Sequence, residues 1–197
     1  MKNIALIGAG GKMGCRLSAN LAKSDFDTRH VEVSEAGRKR LQDELGISCV
    51  DIEVALDNAD AVILAVPDTL IGKIAAQIEP SLPSGTMVVV LDAAAPFAGH
   101  LPDRDDLVYF ITHPCHPPIF NDETEMDAKR DYFGGAYAKQ SIVNALMQGP
   151  EEAYALGEAV GKAIYAPIAS SYQVTVEQMA LLEPCLLYTS PSPRDED

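Results

Sequence analysis

Several features are scarce or missing in this 197-residue chain. No apolar run approaches the roughly 20 residues of a membrane span, so no membrane partner is expected. Basic residues are outnumbered, 15 against 29 acidic, for a net charge of −14 at pH 7. That balance argues against a nucleic acid or an anionic membrane surface as the general partner, although it leaves room for a local positive pocket. No signal peptide is visible, because the N-terminus leads straight into a strand pattern. The four cysteines, Cys15, Cys49, Cys115 and Cys185, are scattered without a framework. They read as reduced thiols in a cytoplasmic protein. There is no internal repeat, and no long linker before residue 184. What remains is ordinary for a soluble globular protein, 47% hydrophobic and 22% charged, with length for one domain or a little more.

The chain is organised around its first residues. The apolar run Ile4-Ala5-Leu6-Ile7 is followed at once by Gly8-Ala9-Gly10-Gly11-Lys12-Met13-Gly14, then by a helical pattern from Cys15 to Lys23. An apolar run of this kind suits a strand buried on both faces of a parallel sheet. Glycines let the backbone turn sharply and let a pyrophosphate approach. The helix that follows directs its N–H groups and the positive end of its dipole at that phosphate. Strand, glycine turn and helix open a dinucleotide-binding βαβ unit. Met13 stands where G-x-G-x-x-G needs its third glycine, so the register Gly8, Gly11, Gly14 is preferred. Gly8, Gly10, Gly11, Lys12, Met13 and Gly14 are candidate cofactor-binding residues.

A second strand is expected over Asp27–Val33. Glu32, near its end, can accept both adenosine ribose hydroxyls and repel a 2′-phosphate, which favours NAD. Arg38 and Arg40 on the next helix keep NADP open. Ser34 and Glu35 start that helix and Gly46 ends it. Further strands are expected at Ile47–Val50, Ala61–Val66, Met87–Leu91 and Leu107–Thr112, with helices at Asp51–Asn58 and Thr69–Ile78. Pro67 and Asp68 close a strand end of the type that faces nucleotide, so both are candidate cofactor-wall residues; Asp68 suits a helix cap equally well. Past a polar excursion at residues 121–131, a strand is expected at Gln140–Met147. A helix over Glu151–Ile164 with Pro150 at its start, a strand at Ala166–Ser170 and a new helix from Val174 follow. This alternation means an α/β fold with a doubly wound, mostly parallel Rossmann-type sheet.

A second informative stretch is His113-Pro114-Cys115-His116-Pro117-Pro118. It reads as a proline-braced loop beyond a strand end, where open α/β sheets place their chemistry. Histidine there can hold a divalent metal or move a proton. A rigid turn with solvent-facing histidines is the plain alternative. No second cysteine or histidine pair follows at zinc-finger spacing.

From Gly8 to Pro184 the chain resembles the cofactor half of the 6-phosphogluconate dehydrogenase, prephenate dehydrogenase and ketol-acid reductoisomerase group. Its 8–14 glycine stretch, Asp92-Ala93-Ala94-Ala95-Pro96-Phe97-Ala98-Gly99-His100 and residues 113–120 are more closely similar to the D-apionate oxidoisomerase family and its semialdehyde or phosphogluconate dehydrogenase-like relatives. The resemblance implies an NAD-dependent oxidation of a small sugar acid joined to migration of a carbon group. It also implies a Lewis acid at the hydroxy and keto oxygens, zinc or magnesium. His116 ranks first as its ligand, ahead of His113, with Glu183 as a further candidate. The catalytic acid or base is unassigned; Lys139 and Tyr132 are available. A simple hydroxyacid dehydrogenase and a non-catalytic NAD(H)-binding redox sensor remain alternatives.

The resemblance divides the chain into a dinucleotide domain over 1–172 and, over 173–184, the start of a truncated helical substrate and dimerisation domain. Residues 185–197 resemble a translated sequencing adapter and read as a non-native tail. The full-length protein is expected to be a homodimer. The fragment is expected to bind cofactor without turnover and to expose the apolar face Val176, Met179, Ala180 and Leu182.

Overall fold

The computed structural model describes residues 2–117, 123–132, 134 and 137–181. One seven-stranded sheet organises them, in the order β2-β1-β3-β4-β5-β6-β7. The strands are β1 (Asn3–Ile7), β2 (Asp27–Val31), β3 (Ala61–Leu64), β4 (Met87–Val90), β5 (Val108–Cys115), β6 (Gln140–Gln148) and β7 (Ile168–Gln173). The first five are mutually parallel; β6 runs antiparallel to β5, and β7 runs parallel to β6.

The central strands are apolar at every position because helices cover both faces of the sheet. Ile4 and Leu6 of β1 point to one face, where Leu17 and Leu21 of α1 (Lys12–Leu21), Leu41 of α2 (Glu35–Leu45) and Val160 and Ile164 of the Tyr154–Ile164 helix pack. Ala5 and Ile7 point to the other face, against Ala55 and Leu56 of α3 (Ile52–Leu56) and Ile71, Ala75 and Ile78 of α4 (Asp68–Ile78). Two short helices complete the run of labels, α5 (Ala94–Phe97) and α6 (Met126–Lys129), so the Tyr154–Ile164 helix is α7. Local signals end α2 at both sides. The Ser34 hydroxyl accepts from the Gly37 N–H at 3.4 Å, and Gly46 takes φ 67° at the C-cap.

Three expectations are corrected. Residues 47–50 form no strand: Ile47 and Cys49 lean on one core and Val50 on the other, but the backbone is tied to β2 through Val50 N–H to His30 O at 2.9 Å, without a ladder. β5 does not stop at Thr112. His113, Pro114 and Cys115 continue it and pair with Val143, Ile142 and Ser141 of β6. The helical residues 176–181 are not an orphaned apolar face. Met179 is 1% exposed within the core that holds Val90, Ile111 and Ala145, and Val176 and Ala180 pack against it. Thr175 and Gln178 cap this helix reciprocally: the Gln178 amide oxygen accepts from Thr175 N–H at 2.9 Å, and the Thr175 hydroxyl accepts from Gln178 N–H at 3.1 Å. Leu182 lies outside the described residues, as do Glu183 and the 185–197 tail.

Candidate functional site

The strand order places a switch point at β1. The chain leaves β1 for β2 on one side and returns to β3 on the other, which opens a crevice at the carboxyl ends of β1 and β3. The glycine turn fills the β1 side of it. Gly8 takes φ 81°, and a Cβ there would lie 2.4 Å from the Ala65 carbonyl oxygen at the end of β3. A Cβ on Gly14 would fall 2.1 Å from Gly8 O, so only glycine lets α1 start this close to the turn. A Cβ on Gly10 would fall 2.5 Å from the backbone of Gly37 in α2, whereas one on Gly11 would meet Gly8 O at a bearable 3.3 Å. The sterically demanding positions are therefore 8, 10 and 14, not the preferred register 8, 11 and 14. Gly11 is instead the N-cap of α1, with no side-chain cap bond, and Lys12 and Met13 are exposed in the first turn. The first-turn backbone of α1 and the helix dipole make an anion-binding end for a pyrophosphate.

Glu32 follows directly on β2 and is 7% exposed. Its Oε2 accepts from Gly10 N–H at 2.8 Å and its Oε1 from Ser34 N–H at 2.8 Å. The carboxylate thus ties the glycine turn to the start of α2. A carboxylate offers about four acceptor sites, so two backbone bonds leave capacity for ribose hydroxyls. Arg40 Nη1 donates to Gly10 O at 2.9 Å, and Arg38 Nε donates to Glu32 O. Both guanidinium groups thus bond the backbone on either side of the carboxylate's link to the glycine turn.

Across the crevice, Pro67 is the N-cap of α4 and Asp68 its first residue; both are exposed. Asp68 interacts electrostatically with Asp92, at the end of β4, and with His113 on β5. Partial burial, and then the Asp92 carboxylate, hold the Asp68 carboxyl above its ordinary value against the opposite pull of His113. The His113 Nδ1 lies 2.8 Å from Leu91 O. A carbonyl can only accept, so Nδ1 carries the hydrogen, and the neutral ring has Nε2 as its basic nitrogen. Burial is the main cause that lowers the His113 pKa; the Leu91 bond and Asp92 oppose it. His116, by contrast, is exposed past the strand end. No group of three or more metal-binding side chains occurs among the described residues, and Glu183 lies outside them.

The glycine turn after β1 and Glu32 after β2 thus lie at one side of the crevice, and Asp68 beyond β3, Asp92 beyond β4 and His113 near the end of β5 at the other. Asp92 entered the sequence reading only as the start of the 92–100 stretch and not as a site residue, although an aspartate closing an apolar strand repeats the Val66-Pro67-Asp68 signal. Tyr132 and Lys139 are both exposed, and no described contact joins either to this cluster.

A glycine turn at a sheet switch point, an acid at the end of β2 and titratable groups at the neighbouring strand ends define a dinucleotide-binding oxidoreductase domain. The family model described as NADP oxidoreductase coenzyme F420-dependent matches residues 3–96, and that of the phosphogluconate dehydrogenase (decarboxylating) C-terminal part matches residues 121–191. D-apionate oxidoisomerase of Cupriavidus necator is 72% identical over 95% of this chain and 68% of its own length. That of Rhizobium rhizogenes is 67% identical over 96% of this chain and 69% of its own. A solved semialdehyde dehydrogenase NAD-binding protein from Cupriavidus necator, in complex with calcium and NAD, superposes with a TM-score of 0.94 at 71% identity. It covers 96% of this chain, which spans 68% of that one. The chain belongs to the D-apionate oxidoisomerase family. No described helix is long and apolar enough to cross a membrane.

Proposed function

We propose that this chain carries the NAD site of an oxidoisomerase acting on a branched sugar acid such as D-apionate. The observation that supports this reading best is the crevice itself, with the glycine turn and Glu32 set opposite the Asp68–Asp92–His113 cluster. When bound, NAD supplies the hydride acceptor and a divalent cation supplies a Lewis acid for the hydroxy and keto oxygens. The residues fit the cofactor: the turn admits a pyrophosphate, and Glu32 accepts ribose hydroxyls and repels a 2′-phosphate. They also fit a cation at His113, since a ring held by Nδ1–H to a backbone carbonyl is the arrangement that aims Nε2 at a metal. On this ground we rank His113, whose ring is oriented by the Leu91 carbonyl, ahead of His116, which is exposed past the strand end.

In this reading residues 1–172 hold the dinucleotide, and the helix from 176 opens the substrate and dimer part. Enclosing the sugar acid against the nicotinamide belongs to that part, so NAD binding is expected of this chain and full turnover of the full-length enzyme. The test titrates NAD and NADP into this chain and its Glu32→Ser variant, and follows NADH formation from D-apionate by the full-length enzyme. Wild type should prefer NAD, and the variant should lose about tenfold or more in NAD affinity, as expected for a lost charge-assisted hydrogen bond. Equal or tighter NADP binding by the wild type would sink the NAD assignment. No NADH from D-apionate would sink the substrate.

A further inference from the structure

Gly37 sits in the first turn of α2, outside every motif that marks a nucleotide site, yet its surroundings are unusual. The three heavy atoms nearest an ideal Cβ on it all belong to Glu32, Cγ and Cδ at 2.8 Å and Oε2 at 3.1 Å. The same backbone is what a Cβ on Gly10 would strike at 2.5 Å. Gly10 and Gly37 therefore pack backbone to backbone, and the buried Glu32 carboxylate lies in the room that Gly37 leaves, bonded to Gly10 N–H and Ser34 N–H.

We propose that Gly37 is a positioning residue that determines cofactor preference by leaving the space from which Glu32 faces the ribose. A glutamate side chain is flexible, so an added methyl displaces the carboxylate rather than the fold. The displaced acid no longer holds Gly10 N–H and no longer stands where it repels a 2′-phosphate. Arg38 and Arg40 remain beside the turn, and their charge then favours the extra phosphate of NADP. Substitution at Gly37 thus acts on selectivity through Glu32. The inference rests on the NAD assignment above.

The test is a double-mutant cycle on this chain: wild type, Glu32→Ser, Gly37→Ala and both together, with dissociation constants for NAD and NADP and a thermal melt of each. Gly37→Ala should fold, weaken NAD by about tenfold and narrow the NAD-to-NADP ratio by a similar factor. With Glu32 cut back to serine the same methyl has room, so it should change neither constant by more than about twofold. An unchanged ratio in Gly37→Ala, or an equal loss in both backgrounds, overturns the proposal. So does a Gly37→Ala chain that fails to fold, since the methyl would then be meeting something that cannot move. A wild type without NAD preference overturns the cofactor assignment, and this inference with it. A selective wild type beside an unaltered Gly37→Ala ratio removes the role of Gly37 alone.

Discussion

Truncating Met179 to alanine tests whether the helix at 176–181 is part of the nucleotide domain's core. Met179 is 1% exposed and shares a core with Val90, Ile111 and Ala145, which lie on β4, β5 and β6. Loss of a fully buried methionine side chain costs about 2–5 kcal/mol, the transfer of its methylenes and sulfur plus the cavity left behind. A loss of about 3 kcal/mol, within that range, is expected. For a domain of this size that lowers Tm by roughly 6–12 °C. Leu181, at 66% exposure, is the internal control; its replacement by alanine should stay within about 0.5 kcal/mol. Urea unfolding read by circular dichroism gives both values, provided the slope m is unchanged between variants. A Met179→Ala chain as stable as Leu181→Ala would refute the packing argument. It would return the helix to an undocked apolar face, with the aggregation such a face invites.

Gly14→Ala should abolish NAD binding, because its Cβ would fall 2.1 Å from a backbone oxygen, while Gly11→Ala, at 3.3 Å, should stay within about threefold of wild type; calorimetric titration of the two variants decides, and the opposite order would refute the steric register. Burial lowers the pKa of both His30 and His113. Folded values below the unfolded reference of about 6.5 mean that their stabilisation is fully present above about pH 6.5 and is lost as pH falls through the folded values. Urea midpoints should therefore decline from about pH 7.5 to about pH 5, less steeply in His30→Gln; a flat wild-type profile would refute this.

The parts legible in the sequence are those specified over short spans. The β1 run, the glycine turn and the start of α1 are contiguous, and Ser34 and Gly46 mark α2 with signals of one residue each. What was not legible depends on partners far along the chain. Residues 47–50 have the composition of a strand but lack a ladder, because pairing needs a neighbour that the local pattern does not name. The direction of β6 is set by its docking on β5, and that pairing also draws His113-Pro114-Cys115 into the strand and away from a loop. The bond that orients the His113 ring comes from the Leu91 carbonyl, 22 residues back in the chain. Gly37 carries no motif, and its role appears only where α2 meets the glycine turn.

The bond from Gly10 N–H to Glu32 has a consequence for how this lineage can change its coenzyme. In an enzyme whose acid touches only the ribose, one substitution can trade one nucleotide for another. Here the acid is also a tie within the apoprotein. Its first replacement leaves a buried amide without its acceptor and loosens the phosphate end while it frees the ribose end. Intermediates on a mutational path to NADP use should therefore lose affinity for NAD before they gain any for NADP. A second substitution that restores an acceptor for Gly10 must accompany the first, so the switch crosses a fitness valley instead of climbing a slope.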